Sequence, residues 1–169
     1  TANLFLSTTA TDTDLFVQVI DEFNGTASVL QRGMLRASHA SGIEYDTEFS
    51  DYFGTDPVAG GPFLYRPWRT HSNPQLITPG SVNEYLVEVF PVAHVFRPGH
   101  NLLVKVTAPP AVDSQYSYTP SPSPLALNTV FFSPTQKTRI TLPVVNAPST
   151  VNATGPDCGD YNSVRCLPE

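Results

Sequence analysis

Apolar and polar residues alternate along much of this chain with a period of two, the pattern of strands that keep one face in a core and one in solvent. Leu15, Val17 and Val19 share a face of residues 14–21, and Leu102, Val104 and Val106 share a face of residues 101–108. In residues 84–90, Tyr85, Val87 and Val89 point one way while Glu84 and Glu88 point the other. Residues 3–9, 26–31, 33–39, 128–133 and 138–145 are rich in the same strand-forming types. Asn24-Gly25, between two of these runs, is a favoured hairpin pair. Helical periodicity is absent apart from a candidate turn at residues 48–53. Eight short strands with long connections predict an all-β, two-sheet sandwich of the jelly-roll type. It spans residues 1–145 and is followed by a polar tail, 146–169. Residues 40–79 form a long, aromatic-rich excursion, and connections of that length are usually functional. Residues 109–124, rich in Pro and Ser, read as an exposed loop.

Composition supports this and narrows function. Seventeen prolines and ten glycines in 169 residues leave little room for helices. The net charge of −6 argues against a nucleic-acid partner, because no basic surface could release many counterions. No apolar run is long enough to cross a membrane as a helix. The N-terminus has neither a basic region nor a cleavage pattern, so the expectation is a mature product or an excised fragment. The two cysteines, Cys158 and Cys166, are too few for a zinc site. A disulfide between them would stabilise by roughly 2–3 kcal/mol through loop closure. Sequons at Asn24 and Asn152 agree with a secreted, extracellular glycoprotein.

The candidate chemistry is sparse. Two of the four histidines, His94 and His100, lie between strand-like runs with Pro98-Gly99 suited to a type II turn. With no carboxylate or cysteine nearby in sequence, they read as ring N–H donors to carbonyls in a bent connection, with a metal site as the alternative. No G-x-S-x-G and no H-E-x-x-H occurs, so no catalytic residue is assigned. Asp12 and Asp14 read as turn formers or, alternatively, as ligands of a structural calcium, and no other cofactor is indicated. The richest stretch, residues 61–80, holds Tyr65, Arg66, Trp68, Arg69 and His71. Rings with guanidinium groups suit a protein interface or a stacked sugar. The competing expectation is that Trp68 plugs the sandwich while Arg66 ties a loop to backbone carbonyls.

The stretch YRPWRTHSNPQLITPGSVNEYLVEVFPVAHVFRPGHNLLVKV resembles the C-terminal domain of serine hydrolases of the Xaa-Pro dipeptidyl-peptidase and cocaine-esterase type. The shared features run in order: Pro79-Gly80, an acidic-hydrophobic strand, Pro91 to Phe96, then Gly99-His100 and another strand. STTATDTDLFVQVID, GMLRASH and NTVFFSPTQKTRITLPVV extend the resemblance over residues 4–145. It implies a galactose-binding-like jelly roll that follows an α/β-hydrolase domain carrying the Ser–Asp–His triad. His100 then matches a turn position and not a triad member. Family members carry a lead-in strand ahead of the position of Thr1, so a cut chain or an uncovered sheet edge is expected here. The cysteine-bearing tail, outside the family pattern, suits a secreted version. Two functions follow. One is a non-catalytic accessory domain that packs on an upstream catalytic domain and shapes substrate access or oligomerisation. The other is a carbohydrate-binding module working through residues 63–71.

Overall fold

The structure, a computed structural model, describes residues 1–44, 51–108 and 125–144. The expected loop at 109–124, Asn152 and the Cys158–Cys166 pair lie outside the described residues.

Strand β1 (Ala2–Thr8) turns Ala2, Leu4 and Leu6 to the interior. It is paired antiparallel along both sides: β8 (Asn83–Val87) runs along one, and β10 (Asn128–Val130) followed by β11 (Arg139–Ile140) runs along the other. β1 is therefore a central strand and not an uncovered edge. Facing this sheet is a second antiparallel one, ordered β3-β2-β9, built from β2 (Asp14–Phe23), β3 (Thr26–Arg36) and β9 (Asn101–Thr107). Leu15, Val17 and Leu35 of this sheet meet Leu4, Leu6, Tyr85 and Val87 of the first in one apolar cluster. Val17 and Val87 are 0% exposed. Each such side chain contributes about 1.5–3 kcal/mol by leaving water. The described residues thus form an antiparallel all-β, sandwich-like arrangement.

Local signals account for the reversals. Asn24 and Gly25, at φ of 50° and 79°, close the β2–β3 hairpin in a two-residue turn that needs positive φ at both positions. Gly99, at 86°, takes the left-handed position of the Pro98-Gly99 turn, and the His100 amide donates to the Arg97 carbonyl at 3.1 Å.

Four elements differ from expectation. Residues 26–31 and 33–39 join into the single strand β3, ending in one 3-10 turn, Ala37–His39. Its register shifts by one residue between Val19 and Ile20 of β2, which leaves Leu30 as the extra residue of a bulge. Gly33 does not break the strand; it makes room, because a Cβ there would collide with the backbone carbonyl of Glu88. The last strand shrinks to Arg139–Ile140, followed by Pro143, which cannot donate to a ladder. The excursion after residue 40 carries two small ribbons. In these, β4 (Ile43–Glu44) pairs with β7 (Trp68–Arg69), and β5 (Asp51–Thr55) pairs with β6 (Pro62–Arg66). Residues 51–53 of the expected helical turn are therefore strand, while 48–50 lie outside the described residues.

Candidate functional site

Asp21 continues the inward face of β2 beyond Leu15, Val17 and Val19, and it is 1% exposed. A buried carboxylate requires donors. They come from the connection after β8: His94 Nε2 lies 2.7 Å from Oδ2, and His100 Nδ1 lies 2.9 Å from Oδ1. A carboxylate oxygen accepts from an N–H, so these contacts assign a proton to His94 Nε2 and to His100 Nδ1 wherever the ring is the donor. His100 is stacked on Phe23 at 4.5 Å between centroids, and His94 meets Phe96 edge-on at 5.0 Å. The same connection is held to β3 by the Phe90 amide on the Arg32 carbonyl and by Gln31 Nε2 on the Pro91 carbonyl. Among the described residues neither imidazole is hydrogen-bonded to a Ser, Thr or Cys side chain, so these Asp–His contacts lack the nucleophile of a triad. The partner of both rings is a carboxylate and not a backbone carbonyl. Asp21 is 73 and 79 residues away in sequence and is invisible to a search for neighbours. The available signal was an acidic residue at an inward position of an alternating strand.

Asp12 and Asp14 serve different partners. Asp12 Oδ1 accepts the amides of Thr13 and Ser38, and Oδ2 accepts the Ser38 hydroxyl at 2.8 Å. Asp14 takes Nε and Nη2 of Arg36 across the β2–β3 ladder at 2.8 and 3.1 Å. Among the described residues no group of three or more His, Cys, Asp or Glu side chains is placed to hold a metal ion.

The aromatic stretch is split among several roles. The Tyr65 carbonyl accepts the Thr1 hydroxyl, and Arg66 Nε stands 3.9 Å from Glu88 Oε1. Arg69 ties backbone carbonyls: Nη2 donates to Leu86 at 2.8 Å and Nε to Ala40 at 3.3 Å. Trp68 lies on β7 and is 37% exposed, so it is not a plug of the core. His71, with a left-handed φ of 56°, stands beside His39 at 5.2 Å between ring centroids. These two rings border an open pocket of about 310 Å³, which Trp68 does not line. Burial lowers the pKa of His71 from its ordinary value, and the charges of His39 and Arg69 lower it further.

The sheets and the two histidine clusters thus define an all-β domain whose described residues present no assembled hydrolytic centre. Residues 1–146 match the family described as X-Pro dipeptidyl-peptidase C-terminal non-catalytic domain, and the chain belongs to that family. Over 148 residues it is 26% identical to a protein named "Putative serine esterase" from Mycobacterium bovis, and equally to one of that name from Mycobacterium tuberculosis. The match covers 84% of this chain and 20% of each relative, so the chain spans about a fifth of the length of the curated proteins it resembles. No solved structure matches it.

Proposed function

We propose that this chain is the accessory domain of a secreted serine hydrolase, a jelly-roll, galactose-binding-like module docked on an upstream α/β-hydrolase domain that carries the catalytic triad. There it shapes access to the substrate or assembly of the enzyme. The observation that carries this reading is the family match over residues 1–146 together with relatives that extend far beyond the matched part. A surface feature supports it. Phe90, Val92, Val95 and Phe96 of the connection, with Leu102, Leu103 and Val104 of β9, are each between 38% and 68% exposed. An apolar run of this kind suits burial against another domain. In this reading the tail is closed by a Cys158–Cys166 bridge, and Asn24 and Asn152 carry glycans. Asn24 stands exposed at the hairpin tip.

The complete reading frame tests the proposal first, since it should encode a hydrolase domain with a G-x-S-x-G elbow. Hydrogen exchange then compares the whole protein with the isolated chain. Amides of residues 90–104 should exchange more slowly in the whole protein. An open frame with no hydrolase domain, or equal exchange in the two forms, overturns it.

A further inference from the structure

The four histidines of the chain fall into two pairs, and among the described residues only one pair has hydrogen-bond partners. His39 closes the 3-10 turn Ala37–His39, and His71 follows β7. Their rings are 5.2 Å apart, centroid to centroid, and neither makes a hydrogen bond within the described residues. His39 Nδ1 is shut off from solvent without a partner, which leaves Nε2 as the nitrogen open to a ligand.

The frame that holds the two rings is well tied. The Gln75 amide donates to the Ser38 carbonyl at 2.7 Å, and Arg69 Nε donates to the Ala40 carbonyl. Ile43 pairs with Arg69 across the β4–β7 ribbon, and Asp12 grips Ser38 through both carboxylate oxygens. The rings therefore come together because two chain segments are clamped to each other, and among the described residues no side-chain hydrogen bond orients them.

We infer that this pocket is a binding site for a divalent transition-metal ion, ligated by His39 and His71. With metal–nitrogen bonds of about 2.0–2.1 Å, two imidazoles on one tetrahedral centre hold their ring centroids roughly 5 Å apart. The remaining positions fall to water or to the oxygens of Ser41, Thr70, Asn73 and Gln75, which share the pocket. Among the described residues no carboxylate or thiolate lines it, and this donor set favours zinc, nickel or copper and disfavours calcium and magnesium. Each ligating imidazole binds a metal in its neutral form. The site needs no other domain and does not depend on the docking proposed above.

Titration calorimetry of the 169-residue chain with zinc chloride tests the assignment, with the cysteines alkylated and in a buffer that does not bind metal. One zinc per chain is expected. His39→Ala and His71→Ala should each weaken binding about tenfold or more. Copper(II) added to the wild-type chain should broaden the ring proton signals of His39 and His71 and spare those of His94 and His100. This second readout does not depend on the folding of any variant. Absence of saturable binding, binding indifferent to both variants, or broadening at His94 and His100 instead would overturn the assignment.

Discussion

The two histidine pairs lie in the same domain and differ in one respect among the described residues: a carboxylate stands between His94 and His100, and none stands between His39 and His71. At Asp21 the buried carboxylate orders both rings and anchors a connection that has no strand ladder of its own between Val87 and Asn101. At the pocket the backbone clamps bring the rings together, and their nitrogens make no hydrogen bond within the described residues. Among the described residues, the pair that meets a buried acid has its ring contacts taken, and the pair that meets none keeps its rings without a hydrogen bond. Residue type and mutual distance do not separate the two cases; the third group does.

The strongest way to break this contrast is to remove the acid. Asp21→Ala leaves two imidazole donors without their acceptor, one of them on the 5%-exposed His100 side chain. It should destabilise the domain by about 3 kcal/mol in urea unfolding. A loss below about 1 kcal/mol would mean that the rings find other partners. Gly33→Ala attacks the same end from β3. Its methyl group would strike the Glu88 carbonyl at the start of the connection. A loss of about 1–3 kcal/mol is expected from such overpacking. Amide exchange should quicken over residues 88–100 and stay unchanged at the pocket. Uniform change, or none, would contradict the close approach of Gly33 to Glu88.

A third test is confined to alkaline solution. Burial raises the pKa of the Tyr85 phenol above its ordinary value, the hydrogen bond with Asn83 draws it partly back, and the Asp12 charge adds to the rise. The folded state therefore favours the protonated phenol. This contribution is fully present below the ordinary tyrosine value of about 10 and is lost as the pH climbs through the raised value. Chemical unfolding between pH 9 and 11 should show a decline that is shallower in Tyr85→Phe. Equal slopes would remove Tyr85 as the cause. The smallest effect belongs to the uncommitted pair. His71→Gly removes a ring that makes no hydrogen bond within the described residues and relieves a non-glycine φ of 56°. The melting temperature should hold or rise slightly, equivalent to less than about 1 kcal/mol. A clear drop would show that His71 has a structural duty like that of His100.

Much of the fold is legible from short-range signals. Alternation at Leu15, Val17 and Val19 marks an inward face, and Asn24-Gly25 and Pro98-Gly99 mark reversals, because each depends on a few neighbouring residues and their allowed φ values. Gly33 misleads for the converse reason. As a local signal it suggests a break in β3, while its cause is Glu88, a residue 55 positions later on a crossing segment. The aromatic stretch at 65–71 was recognisable as unusual. Its division of labour was not, since Arg69 reaches Leu86 and Ala40, and His71 reaches His39, only after the ribbons form.

By itself the sequence determined the all-β class, the hairpin and turn chemistry, and membership of a non-catalytic hydrolase domain family, since strand period, turn residues and motif order are all written along the chain. Tertiary structure alone decided that His94 and His100 meet Asp21 and that, among the described residues, His39 and His71 meet each other and no acid. Asp21 and His100 are separated by 79 residues and joined at 2.9 Å because β2 and the connection after β8 are folded against the same core, and hydrogen bonds depend on distance in space without regard to order along the chain.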